Sequence, residues 1–199
     1  MNAPTERREN GLIAYLYGLA NKEGESRAEL AALRRGLSDD PGRSLGMYQY
    51  IARYVPTHAN TWEHNTHYLI ASLFALHPKP WRTDNAEQAA QHNFGASFDL
   101  LNSKVESGSI EKRFVALLNA DREELPEHLR HAVSLLKAHD VVVDYASLLR
   151  DVRAWDAENR WVQRLWARAF WGATHKQERG TASEAGTSEG ADPASEAQE

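Results

Sequence analysis

Residues 26–38 read SRAELAALRRGLS, and the spacing of their leucines decides what kind of chain this is. Leu30, Leu33 and Leu37 recur at three- and four-residue intervals, the period of one helix face and not the alternation of a strand. Ser26 stands where a helix N-cap belongs, and Glu29 three residues later completes a capping-box pattern. The stretch ends on Arg34 and Arg35 side by side. Adjacent guanidiniums repel, so folding alone gives no reason to choose them; either solvent or something acidic must meet them.

The same period extends outward in both directions. Upstream, ENGLIAYLYGLAN (9–21) sets Leu12, Ile13, Leu16 and Leu19 on one face. Downstream, DDPGRS (39–44) reads as a turn, and Tyr48, Ile51, Ala52 and Val55 define a helix that stops before Pro56. NTWEHNTHYLIASLFALHP (60–78) is a longer helix ended by Pro78 and Pro80. NFGASFDLLNS (93–103) is another, entered near Gly95, and SGS (107–109) marks a boundary. Four helical stretches follow, at 109–120, 121–140, 144–155 and 156–173, with Asp121, Asp144 and Asp156 at their N-cap positions. Only VVV (141–143) has strand character. The expected fold class is all-α: two small helical bundles packed end to end, residues 1–104 and 105–175, followed by a disordered acidic C-terminal tail over 176–199.

The charge is unevenly spread. The chain has 199 residues and a formal net charge of −5. From Gln177 onward lie Glu178, Glu184, Glu189, Asp192, Glu196 and Glu199 against Arg179 alone, with no large apolar residue to offset ordering entropy. Without that tail the chain is formally neutral, so the arrangement of its cations decides whether it attracts anions. The absence of cysteine excludes disulfides, thiolate metal sites and cysteine nucleophiles. No apolar run approaches the roughly 18 residues of a membrane span, and the polar start is unlike a signal peptide. A soluble, cytoplasmic protein is expected, without membrane contact.

Enzyme chemistry is weakly marked. HANTWEHNTH gathers His58, Glu63, His64 and His67, but its order departs from the H-E-x-x-H pattern of zinc proteases. Surface or capping histidines are the simpler reading, and no metal or cofactor is expected. The acid pairs Asp39-Asp40 and Glu123-Glu124 lie at helix ends, where they complement turns and dipoles. Trp155, Trp161, Trp166 and Trp171 crowd the last helices and suit core packing, with partner anchoring as the alternative. The cations are more informative. Lys104, Lys112, Arg113, Arg122, Arg130, Lys137, Arg150 and Arg153 recur along helices, and Arg160, Arg164 and Arg168 form an i, i+4, i+8 stripe. Residue patterns alone leave two readings open: a surface for phosphates, or solvated helices laced by salt bridges.

Taken in series, LRRGL (33–37), YLIASLFALHP (68–78), NFGASFDLL (93–101), SIEKRFVALLNADREELPEHLRHAVSLLK (109–137) and DYASLLRDVRAW (144–155) resemble the CasB family. This is the small subunit of the type I-E CRISPR surveillance complex, Cascade. The resemblance spans about residues 10 to 172, carried by the RRG, N-x-G-x-S and E-x-R-F blocks together. It implies an all-helical, non-catalytic protein that binds nucleic acid without sequence specificity and stabilises the R-loop. The implied partners are a second copy of the chain, the Cascade backbone and large subunits, the RNA-guided target DNA and its displaced strand. On the matching motifs the nucleic-acid face falls on Arg34, Arg35, Lys112, Arg113, Arg122 and Arg130; helical spacing extends it to Lys104, Lys137, Arg150 and Arg153. Some relatives carry further arginines where this chain has Asn119 and His131. Two alternatives remain: a purely structural assembly subunit, and a helical metal-dependent hydrolase using His58, His64 and His67.

Overall fold

A computed structural model describes residues 3–22, 24, 26–38, 42–82, 92–105 and 107–184, with side chains between Gly11 and Gly172. The all-α expectation holds. Along the described chain run α1 (Ala3–Asn21), α2 (Arg27–Arg35), α3 (Leu45–Ile51), a 3₁₀ turn (Ala52–Tyr54) and α4 (Thr61–Leu76). They are followed by α5 (Phe94–Val105), α6 (Gly108–Asn119), α7 (Leu125–Ala138), α8 (Tyr145–Arg153) and α9 (Trp161–Glu184). The valine run joins no sheet. Val143 makes an isolated parallel bridge with Pro80, where Trp81 N–H donates to Val143 O at 2.8 Å.

Local chemistry explains most helix starts, and corrects some expected ones. Asn60 and Glu63 form a reciprocal capping box on α4, and Asp144 Oδ1 accepts from the N–H groups of Ala146 and Ser147 to start α8. The box expected at Ser26 and Glu29 does not form. The Ser26 hydroxyl caps nothing, its backbone at φ −89°, ψ 8° being outside the extended conformation of an N-cap, and the Glu29 carboxylate instead accepts a 2.7 Å hydrogen bond from Tyr15 on α1. Asp121 caps a turn one step early, accepting from Glu124 N–H before α7 begins at Leu125. Asp156 caps no helix: it pairs with Arg122 at 2.6 Å, and Asn159 receives the N–H of Trp161.

Helix α4 organises the interior. Every residue from Thr66 to Ala75 is buried, as befits a helix enclosed on all sides and not one with a single apolar face. It packs against α2, α7 and α8, while the most extensive pairing in the molecule is α5 with α9. Buried hydrophobic side chains form one cluster that runs from Leu12 through Leu33, Phe74, Phe98, Phe114 and Leu148 to Phe170. Helix α5, which ends the expected first bundle, therefore lies directly on α9 of the second. The backbone of α9 continues to Glu184, past residue 176 where the acidic tail was expected to begin. The remainder of that tail, 185–199, lies outside the described residues.

Candidate functional site

The three sequence blocks divide into packing and exposed charge. In LRRGL, Leu33 is fully buried, and a Cβ on Gly36 would stand 2.1 Å from Met47 Sδ and 2.6 Å from Ser72 Oγ. That glycine lets the end of α2 press onto α4. Arg34 then reaches α4 and donates from Nε to the Ala75 carbonyl at 2.9 Å, while Arg35 faces solvent. In NFGAS, Asn93 Oδ1 accepts from Gly95 N–H at 2.9 Å, and Ser97 Oγ donates to Val142 O at 2.9 Å. Gly95 is the crossing point with α9: an added Cβ would lie 2.1 Å from Trp166 O. In EKRF, Phe114 is buried against Phe98 and Phe170, Glu111 accepts from Trp171 Nε1 at 3.1 Å, and Lys112 and Arg113 are exposed.

The ten expected nucleic-acid residues separate in the same way. Arg35, Lys112, Arg113, Arg130 and Lys137 are exposed and form no ion pair or hydrogen bond among the described residues. Arg34 and Lys104 are exposed but tied to carbonyls, Lys104 Nζ donating to His139 O at 3.2 Å. Arg150 pairs with the buried Asp151 at 2.9 Å. Arg122 is half-buried, paired with Asp156 and seated 4.8 Å over the Trp62 ring. Arg153 is also half-buried, 2.5 Å from Glu63, and burial lowers its pKa. Arg150 stays within α8, whereas Arg122 and Arg153 tie α4 to α8 and to the turns before α7 and after α8. Their partners stand 34 and 90 positions away for Arg122 and Arg153, so spacing along one helix gave no sign of them.

Helix geometry places four of the five unpaired cations, all but Arg35, on two helices that pack side by side. Helix α7 exposes Arg130, Ser134 and Lys137 at i, i+4 and i+7, and α6, packed beside it, exposes Lys112, Arg113, Ala116 and Asn119. Helix α9 runs antiparallel to α6, because Trp171 meets Glu111 while Arg160 Nη2 donates to Leu118 O at 2.6 Å. Arg160 is thereby anchored. Arg164 and Arg168, exposed on the same stripe, have no partner among the described residues and add to the set expected from sequence.

The other candidate chemistry disperses. His67 is fully buried, its Nδ1–H donates to Glu63 O at 2.6 Å, and burial lowers its pKa, so it is neutral near pH 7. His64 lies against Tyr68, ring centroids 4.8 Å apart, and His58 is exposed at the other side of the Asn60 cap. Among the described residues, no three His, Cys, Asp or Glu side chains are grouped to hold a metal ion. The tryptophans are committed too. Trp155 and Trp166 are buried and donate to Ala120 O at 3.0 Å and Asp151 Oδ2 at 2.7 Å; Trp62 donates to Val152 O at 3.1 Å. Trp81 stacks on His92 at 4.4 Å. A hollow of about 420 Å³ between Arg53, Pro56, His64 and Tyr68 gathers no acid–base pair. Among the described residues, no helix is long and apolar enough to cross a membrane.

Comparison with known proteins places this architecture. The family model for CRISPR-associated protein Cse2 matches residues 29–171. The Cse2 protein of Thermus thermophilus is 34% identical over 154 residues, covering 76% of this chain and 83% of the relative. The crystal structure of M. ruber CasB superposes with a TM-score of 0.70 at 33% identity, over 87% of this chain and 98% of that one. A chain of a CRISPR RNA-guided surveillance complex shares the fold, with a TM-score of 0.71 at 23% identity over 89% and 99%. The all-helical fold and the matches over most of its length agree: the chain belongs to the Cse2 (CasB) family of CRISPR-associated proteins.

Proposed function

We propose that the chain is a non-catalytic, cytoplasmic subunit of an RNA-guided Cascade complex. In this reading it binds the displaced DNA strand without sequence preference and so stabilises the R-loop. It works beside a second copy of itself and the backbone and large subunits. The observation that carries the reading is the set of unpaired cations on the adjoining faces of α6 and α7: Lys112, Arg113, Arg130 and Lys137. Phosphate binding needs several cations along a surface, and counterion release makes it strong at low salt without any base-reading geometry. Family membership supplies the setting, since a relative of the same fold is a chain of a surveillance complex.

The test is single-stranded DNA binding by the isolated chain over a salt series, against a variant with those four cations changed to alanine. Each phosphate contact on a single strand contributes about 0.7 to the slope of log K against log salt. Loss of four contacts flattens the slope by about 3, equally for oligonucleotides of different sequence. An unchanged slope refutes the assignment.

A second reading, assembly without DNA contact, draws on α3, where Leu45 is 75% exposed beside Tyr48 at 37%. An exposed leucine flanked by tyrosine suits a protein partner. Leu45→Glu then blocks incorporation into the assembled complex, while the isolated chain, natural or variant, binds no single-stranded DNA even at low salt.

A further inference from the structure

The acidic segment after α9 lies beyond the family match, which ends at residue 171. It repeats none of the core's chemistry: residues 185–199 carry Glu189, Asp192, Glu196 and Glu199, and no base. Without those four acids the formal net charge rises from −5 to −1, and several of the unpaired cations lie on or near α9. Trp171 Nε1 bonds Glu111, the residue that precedes Lys112 and Arg113, so the part of α9 around Trp171 meets the first turn of α6. Arg164 and Arg168 lie on the same helix within two turns of that contact.

We infer that, when no nucleic acid is bound, the surface made by Lys112, Arg113, Arg164 and Arg168 is occupied by this chain's own acidic segment, residues 185–199. The segment is a weak polyanion tethered beside a polycationic face, and it competes for the positions that phosphates would take. This rests on the nucleic-acid reading above. Reach permits it: from Trp171 to Glu184 the helix advances about 20 Å, and fifteen further residues span up to about 50 Å when extended. Tethering supplies a local concentration of about millimolar order, enough for a contact too weak to form between separate molecules. The contact is also exchangeable. A nucleic acid offers a denser row of charges and gains from counterion release, so it displaces the segment, and short or incidental polyanions are held off.

The experiment compares the natural full chain with a full-length variant carrying Glu189→Gln, Asp192→Asn, Glu196→Gln and Glu199→Gln. The first readout is the affinity of each for one single-stranded oligonucleotide by fluorescence anisotropy, at low and at physiological salt. The second is the rate at which an amine-reactive ester labels Lys112 without DNA, with Lys22 as internal reference. The neutralised variant binds about threefold to tenfold tighter at low salt, the gap narrows as salt screens the contact, and Lys112 labels faster while Lys22 does not. Equal affinities for two proteins that both bind overturn the inference and leave the nucleic-acid reading standing. Tighter binding with unchanged Lys112 labelling also overturns it, because net charge alone then explains the gain. If neither protein binds the oligonucleotide at low salt, the nucleic-acid reading fails and this inference with it.

Discussion

Arg34 donates from Nε to the Ala75 carbonyl at 2.9 Å, and the arginine beside it meets no partner among the described residues. The fold therefore treats the two adjacent arginines differently. Arg34 ties the end of α2 to the last turn of α4 and places positive charge where that helix dipole is negative. Arg34→Ala should cost about 1 kcal/mol in urea unfolding, the usual net value of one such hydrogen bond. Arg35→Ala should change stability by less than about 0.5 kcal/mol yet weaken DNA binding at low salt. Equal stability losses in the two variants would contradict this division.

The same sorting applies to the cations of α8 and the turn before α7. Arg153 and Glu63 are both half-buried partners across 90 residues, and Arg122 lies between Asp156 and the Trp62 ring. Arg153→Ala takes the charged partner from Glu63 Oε1, leaving the carboxylate only its Asn60 N–H bond, and should lower stability by about 2 kcal/mol, in the range for hydrogen bonds to charged groups. Its salt slope for DNA should match that of the natural chain. A flattened slope would return Arg153 to the binding surface.

The sequence made the helices legible because each element states its own period: Leu12, Leu16 and Leu19, then Leu30, Leu33 and Leu37, needed no distant partner to be read. Caps were legible only where the competing donors are local. Asp144 serves its own helix, whereas Glu29 is claimed by Tyr15 from another one. Candidate cations followed the same rule. Whether an arginine is free depends on what the fold brings to it, and nothing near Arg122 or Arg153 in sequence announces Asp156 or Glu63. The pairing of α5 with α9 was likewise invisible: Gly95 read as a helix entry, and nothing near it in sequence announces the Trp166 backbone it meets.

Buried histidines set the acid side of the stability profile. Burial holds His67, His77 and His92 below the ordinary imidazole pKa, so the folded chain stays neutral there while the unfolded chain takes up protons near pH 6.5. Stability is therefore lost as pH falls through 6.5 towards the folded values, by up to about 1.4 kcal/mol per pH unit for each histidine. Asp151 opposes this at lower pH. Burial raises its pKa, so the folded chain holds a proton that the unfolded chain has released, and acidification restores stability as pH falls towards 3.8. Urea midpoints from pH 7 to pH 4 check both signs. His67→Gln and His77→Gln should each make the decline below pH 7 shallower; an unchanged decline in both assigns it to other groups.

Gly95 offers the sharpest test of how the two ends of the chain are joined. A methyl group there would lie 2.1 Å from Trp166 O and 2.7 Å from its carbonyl carbon, both backbone atoms that no rotamer change can move. Relief requires α5 and α9 to separate. Such a shift loosens Phe94 from Trp166 and Phe98 from Phe114, and it pulls Trp166 from its 2.7 Å bond to the fully buried Asp151. Overpacking of this kind costs about 3 kcal/mol, and a strained buried carboxylate adds to it. Gly95→Ala should therefore lower the urea midpoint far more than Gly108→Ala, where nothing lies within 4 Å of an added Cβ. If Gly95→Ala is as stable as Gly108→Ala, the close α5–α9 crossing is wrong. If it is destabilised but keeps its salt slope for DNA, the crossing serves the core alone and the cations on α6 and α7 bind independently of it.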